Sequence, residues 1–521
     1  MKNDTYIILL LLIILFPARL NCQISVPLTA DYGHVLDTWS LQNRVNINSS
    51  VKPLFVNQIN NSVNADSLFA FGTVKPVAKK NWFFRKLFYE NFLSDDTTGF
   101  RISVDPLCNF QFEKYNNINK LYYTNTRGIR LFGSLGNDLY FESSYYENDA
   151  KFPGYLNDFV NSNFIVPGQG AIRSYNYFDY ANSTGILHFQ WGKFFCFTLG
   201  HDKIFIGDGY RSVLLSDNSF NYPFLRIDAT FGRISYTRIM AELMSDSTPQ
   251  NIDYGVRGKK LAGFNIFTYM PEDWFHFYFF EGNIWQYPNS SKNINFNYNF
   301  IDPIIYANAL ISNPDFKTLL GAGFKLNTFK AVQLYGQFAV DKLTKTTDYN
   351  NHFAWQAGIK YCDVFTIKNL FLQIEYNTAK PKTYTNDQKI LDYSHYLQAL
   401  ADPLGTNFNE WVYILHYNIS RFNFDAKFNY SEYGDKAVAP KNKNKKYIIN
   451  YDFVSPFMGL GPHTDLKYLD YKIAFLLNPK TNLRIEAGCI ARDSNVEGKI
   501  INSSYFYFGL RTSLVNWYYD F

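Results

Sequence analysis

After residue 22 the chain has no run of about 18 apolar residues, so the sequence offers no membrane-spanning helix. Cysteine is scarce, with 5 in 521 residues. Cys108, Cys196, Cys362 and Cys489 form no C-x-x-C pair and fit no zinc spacing. They read as small residues packed in a wall, not as redox or metal centres, and no metal or cofactor is expected. Net charge is only +5 and charged residues are 18% of the chain, with no basic helix and no RNA-binding signature, so nucleic acid is not an expected partner. The one basic run, Lys441 to Lys446, reads as a solvated loop; contact with acidic surface glycans is the alternative.

Aromatic side chains are abundant. They make up 19% of the chain, with 50 Phe and 41 Tyr, more rings than most soluble cores could absorb. Mean hydropathy is nevertheless −0.23, which fits a chain that is half lipid-facing and half polar. From Arg421 to Tyr430 the two kinds of residue alternate. Arg421, Asn423, Asp425, Lys427 and Asn429 share one face, and Phe422, Phe424, Ala426, Phe428 and Tyr430 the other. The ladder recurs at 351–363, 371–377 and 482–491. In the last of these, Leu483, Ile485, Ala487, Cys489 and Ala491 are expected to face lipid, and Arg484 and Glu486 the lumen. With the aromatic Phe521 read as closing the last strand, this is the pattern of a bacterial outer-membrane β-barrel.

Residues 1–22 read as a secretion signal. Lys2 precedes an apolar stretch from Tyr6 to Phe16, and cleavage is expected between Cys22 and Gln23. Lipidation of Cys22 is disfavoured, because Arg19-Leu20-Asn21 are not small residues. Residues 23–96 form an N-terminal periplasmic or plug segment, partly helical, and 97–521 the barrel. Within 80–94, Trp82, Phe83, Leu87, Phe88 and Phe92 recur at helical spacing, with Lys79, Lys80, Arg85 and Lys86 beside them. This predicts a helix packed at the periplasmic mouth.

Barrels alternate short periplasmic turns with longer outer loops. Short connections are expected near 135–137, 191–193, 231–233, 270–273, 327–330, 363–366, 420 and 478–481. Longer polar stretches lie between them. Together these predict about 18 antiparallel strands, the first near 97–114 and the last near 503–519. Tyr447 to Asp452 is taken as strand structure inside a loop. A barrel of this size has room for a channel unless it is filled. The candidate fillers are the N-terminal segment and the loops at 148–183 and 201–223, whose dense glycines permit tight folding.

The second of those loops carries the densest constellation: Gly207, Asp208, Gly209, Tyr210, Arg211 and Ser212, followed by Asp217 and Asn218. Ser212 or Ser216 with His201 and Asp217 lacks the Gly-x-Ser-x-Gly elbow of a hydrolase, so no catalytic residue is assigned. Gly207-x-Gly209 is an incomplete nucleotide fingerprint, and Asp202, Asp208 and Asp217 do not form a calcium loop. An inward structural loop is expected, with Arg211 paired to Asp217.

The run Pro167-Gly168-Gln169-Gly170, then Gly207 to Ser212, Leu215-Ser216-Asp217-Asn218 and Asn221-Tyr222-Pro223, resembles the RemB family of gliding-motility outer-membrane proteins. More distantly it is similar to Wzi capsule-attachment barrels. The close match spans about 160–240. The resemblance implies an 18-stranded, non-enzymatic barrel with a helical periplasmic plug that handles surface polysaccharide. No catalytic or ligand residue carries over, and the Wzi match departs at Tyr210 and Arg211. The implied partners are outer-membrane lipid, surface polysaccharide or adhesin, and other envelope or secretion-system proteins. Loop rings in 286–317 and 379–409 suit sugar stacking. The alternative is a pore for small solutes, lined by Gln356, Lys360, Asp425 and Lys427.

Overall fold

The computed structural model describes residues 25–45, 47–55, 81–115, 121–136, 138–174, 177–245, 258–289, 295–310, 316–342, 351–434 and 461–521. The signal segment 1–22, Lys79 and Lys80, the basic run 441–446 and the strand expected at 447–452 lie outside these residues.

Eighteen antiparallel strands close into one barrel. They are β1 (Phe100–Tyr115), β2 (Leu121–Leu135), β3 (Leu139–Lys151), β4 (Phe178–Trp191), β5 (Phe195–Asp202), β6 (Tyr222–Phe231), β7 (Ile234–Met244), β8 (Lys259–Glu272) and β9 (Phe275–Gln286). The second half comprises β10 (Phe316–Thr328), β11 (Val332–Lys342), β12 (His352–Cys362), β13 (Leu370–Ala379), β14 (Phe408–Ile419), β15 (Phe422–Tyr433), β16 (Thr464–Asn478), β17 (Leu483–Val496) and β18 (Lys499–Thr512). The short turns fall at or beside the expected positions; the one expected at 270–273 comes at 273–274, because β8 runs on to Glu272. Gly136, Gly192 and Gly232 take positive φ in theirs, which a tight reversal requires. Rings crowd the outside of this end: Trp191, Phe231 and Trp274 are exposed, and Phe329 and Phe365 are 92% and 80% exposed. Such a girdle marks a membrane–water interface, and short turns mark the periplasmic side.

The facing of β17 agrees with its alternation. Ile485 is exposed outward, whereas Arg484 and Glu486 are buried inside. Arg484 Nη1 lies 2.8 Å from Asp31 and Arg511 Nε 2.9 Å from Glu486.

Two expectations at the ends need correction. The last strand stops at Thr512, and Phe521 does not close it. The cause lies in β1. Its edge pairs with β18 only from Asn109 to Tyr115, while Phe100 to Val104 pairs with the short strand Leu93–Thr97. Beyond Arg511 the last strand has no ladder partner in β1. The Thr512 hydroxyl bridges the gap, accepting from Cys108 N–H at 3.2 Å and donating to Cys108 O at 3.3 Å. Residues 513–521 then turn into the lumen, where Phe521 packs against Phe159 of the helix Gly154–Asn163, with ring centroids 5.4 Å apart. The second correction concerns residues 82–88, which are helical but bury none of their side chains. Asn478 tethers this helix to the rim, donating to Lys86 O and Glu90 O at 2.9 Å.

The core lies inside the barrel. Helix α1 (Ala30–Asn43) occupies its short-turn end. Lys360 reaches Asp37 at 2.6 Å, and His34 stacks on Phe371 at 4.2 Å. The helix of residues 82–88 is α2, and α3 (Gly154–Asn163) fills the other end. Val51–Lys52 pairs with Phe205–Ile206 in mid-lumen, so the N-terminal segment and the 203–221 loop meet as a small sheet. Around it Ile204, Leu214 and Leu215 pack against Ile239, Phe264 and Phe280 of the wall.

Candidate functional site

The Gly207–Asn218 constellation sits in the filled lumen, and the wall explains its glycines. A Cβ on Gly207, whose φ is +119°, would lie 2.0 Å from Gln337 Nε2. One on Gly209 would lie 2.6 Å from both Arg211 O and Glu375 Oε2. The loop therefore presses its bare backbone onto lumen-facing polar side chains. Glu375 accepts from Tyr210 N–H at 2.8 Å and Arg211 N–H at 3.0 Å. Gln337 Oε1 accepts from Val213 N–H at 3.0 Å, and Gln356 donates to Arg211 O at 2.8 Å.

Arg211 is completely buried, and it does not pair with Asp217. Its Nε and Nη2 donate to Glu410 of β14 at 3.1 and 2.9 Å, and Nη2 lies 3.1 Å from Asp520. Asp402, on the β13–β14 loop, stands 4.0 Å away. Asp217 accepts instead from the Tyr518 hydroxyl at 2.6 Å, from Asn516 at 3.3 Å and, through its carbonyl, from Lys203 at 2.9 Å. The expected pairing fails because two closer carboxylates arrive from distant chain.

One cation among three carboxylates leaves excess negative charge. Lys427 offsets part of it, donating to Asp520 at 2.9 Å and to the Tyr210 hydroxyl at 3.0 Å. Burial alone would push the Asp520 carboxyl up. Arg211 and Lys427 beside it hold it below the usual carboxylate range. Asp402 goes the other way: burial and the neighbouring Glu410 push it well above that range.

The remaining motif residues are also internally committed. Asp208 accepts from Ser49 and lies 3.9 Å from Lys325. The Ser212 hydroxyl donates to Ile206 O at 2.6 Å and accepts from Leu214 and Leu215 N–H, which makes it a turn brace. Asn218 donates to Ala399 O at 3.3 Å. His201 bonds Ser183 O, and Asp217 is committed to the 513–521 segment. The structure thus gathers these residues as a key locking loop, wall and terminal segment.

Sequence reasoning missed Glu410, Asp520 and Asp402. Glu410 had a signal: it is the single carboxylate on the inward face of its strand, set between Phe408 and the apolar Val412 and Ile414. Asp520 and Asp402 had none. The rings expected on an outer loop at 379–409 are also inside, since Tyr384 and Tyr393 are buried and donate to Val213 O and Leu214 O. Of the proposed channel lining, Gln356, Lys360, Asp425 and Lys427 do face inward, but each bonds a filling element or a neighbouring wall side chain.

Space remains beside the terminal segment. A cavity of about 190 Å³ is lined by Glu113, Tyr468, Tyr505, Tyr507, Trp517 and Tyr519, among others. Beside its floor, Asp31, His416 and Asp425 bring potential ligand atoms within 4.8 Å of one another. Arg484 on Asp31 and Lys472, 3.2 Å from Asp425, already supply the positive charge a metal would bring.

A closed 18-strand barrel with a ring-girdled outside and a polar, filled inside is a large bacterial outer-membrane β-barrel protein. Among solved structures it is similar to Wzi of Escherichia coli, described as an outer-membrane protein involved in group 1 capsule assembly and a carbohydrate-binding β-barrel. The TM-score is 0.54 at 13% identity, covering 93% of this chain and 98% of that one. It is also similar to OprD of Pseudomonas aeruginosa, with a TM-score of 0.42 at 11% identity over 81% of this chain and 98% of that one. No family model and no curated protein sequence matches the chain. At these identities the likeness establishes the fold.

Proposed function

We propose that this barrel is a non-enzymatic, closed holder of surface polysaccharide, serving polymer attachment at the cell exterior and not solute flow. The observation that carries this reading is the Arg211 key. It ties the 203–221 loop to the wall through Glu375 and Glu410, and to the terminal segment through Asp520. With α1, α3 and the 380–407 loop, these elements fill a lumen that would otherwise hold a channel. The tyrosine-rich cavity and the fold shared with carbohydrate-binding Wzi support the polymer side of the proposal. The RemB-like stretch at 160–240 is the support for a link to gliding motility.

Planar-bilayer recording of the intact protein tests the closed state, and a deletion strain tests the role. Near-zero steady conductance, with loss of surface-bound polysaccharide and normal small-solute uptake, is the expected outcome. Large conductance with impaired uptake would favour the pore.

A further inference from the structure

Side chains on β7 to β10 alternate between lumen and membrane. Ile239, Phe264 and Phe280 belong to the lumen core, so residues of opposite parity face outward. Among these are Arg238, Asn265 and Glu281, which the register places side by side across three strands. Asn283 and Trp285 lie beyond them, toward the long-loop end. A wall that meets only hydrocarbon has no use for such a rung.

These outward residues are nevertheless buried: Arg238 is 4% exposed, and Asn265, Glu281 and Asn283 are 0%. Residues 295–310, between β9 and β10, cover them from outside. Phe300 O accepts from Arg238 Nη2. Tyr306 donates its N–H to Glu281 at 2.9 Å and its hydroxyl to Gly321 O at 3.0 Å. Trp285 meets Phe300 edge-on at 5.5 Å. The strap turns Tyr298, Ile301 and Ile304 away from the barrel, exposed toward lipid. The rings expected on this loop for solvent-side sugar stacking therefore lie along the barrel wall.

Beneath the strap, polar atoms are left over. Arg238 Nε, Glu281 Oε1, Asn283 Nδ2, Trp285 Nε1 and both amide atoms of Asn308 are buried with no hydrogen-bond partner among the described residues. Buried polar groups are normally satisfied, so this cluster of donors and acceptors offers bonding positions to a polar ligand. Gly263 lets the rung pack close to the wall: a Cβ there would lie 2.8 Å from Arg238 Nη2 and 3.0 Å from Trp285.

The geometry points to a membrane-side binding site, between the outer wall and the 295–310 strap, for the neutral, hydroxyl-rich head of an amphiphile such as a glycolipid. The orphan atoms include donors and acceptors interleaved, and a hydroxyl serves both. A phosphate would suit Arg238 but would meet the Glu281 carboxylate. Hydrocarbon would leave every orphan unpaired. β7 to β10 stand between these groups and the lumen, so a ligand would reach them from the membrane side, past the strap. It is separate from the lumen key and does not depend on the function proposed above.

The test is titration of the full chain in phospholipid nanodiscs with n-octyl glucoside below its micellar concentration, read by tryptophan fluorescence. A saturable change that disappears in Trp285→Phe is expected, weakened about tenfold by Asn308→Leu or Asn283→Leu. Asn308 is on the strap, so its replacement leaves the barrel wall intact. Octylphosphocholine and free glucose should give no saturable change. No response to octyl glucoside, or one unaltered by Asn308→Leu and Asn283→Leu, would overturn the site. An equal response to octylphosphocholine would overturn the hydroxyl chemistry, and an equal response to free glucose the membrane-side approach.

Discussion

Arg211 and Asp520 meet at 3.1 Å with both side chains completely buried, joining an inward loop to the terminal segment. Two parts of the chain that each lack regular structure at this point thereby hold each other in the lumen. Glu410 fixes the pair to the wall through a two-nitrogen contact with Arg211.

Replacing Arg211 with Ala leaves Glu410 and Asp520 buried without their shared cation. Losing one partner of a buried pair typically costs about 3–5 kcal/mol. Denaturant unfolding of the purified protein should show a loss of that order. Arg211→Lys should fall between, because an ammonium cannot reproduce the forked contact with Glu410.

Acid should erase the contribution of Asp520. Its folded-state carboxyl lies below the ordinary range, so the stabilisation is complete above the unfolded value of about 4 and is lost as pH falls below it. Thermal midpoints of the parent and Asp520→Asn should differ by similar amounts at pH 7 and pH 5. The difference should shrink progressively as pH falls below about 4. A difference that already vanishes at pH 5 would contradict the sign.

Gly209→Ala places a methyl 2.6 Å from Glu375 Oε2 and from Arg211 O. The neighbour on one side is backbone, so the loop must shift. Overpacking of this kind costs about 1–3 kcal/mol. Bilayer recordings should show openings in this variant that the parent lacks.

On β17, Ile485→Arg puts charge on the lipid face at a cost of about 2–4 kcal/mol near mid-bilayer. Assembly, followed by heat-modifiable migration in gels, should fall. Alternation by itself assigns no cost to Glu486→Gln. With Arg511 at 2.9 Å and Arg484 at 3.8 Å, it should instead cost about 1–3 kcal/mol through a weakened buried charge contact. Equal assembly of Ile485→Arg and the parent would refute the facing.

The strand ladder was legible because its cause is local. Neighbouring side chains of an extended backbone point to opposite sides, so water and lipid write their demand every second residue. That was enough for the strand count, the turns and the facing of Arg484, Ile485 and Glu486. The glycines of the 203–221 loop likewise announced a backbone that must pass close to something. What they could not name was the something: Gln337, Glu375 and Gln356 arrive from strands far along the chain.

The same limit accounts for each misreading. Arg211 was paired with Asp217 because they are near in sequence, whereas charge pairing in a filled lumen follows distance in space. Phe521 resembled a closing strand residue. Only the pairing of β1 with Leu93–Thr97 shows that no neighbour was left for it. Arg238 and Glu281 break the polar-inside pattern, and the fold alone reveals the strap that permits it. Periodicity along the chain thus settled the wall of this protein. Occupancy of its lumen and cover of its outer face depend on contacts between distant segments, which no local spacing encodes.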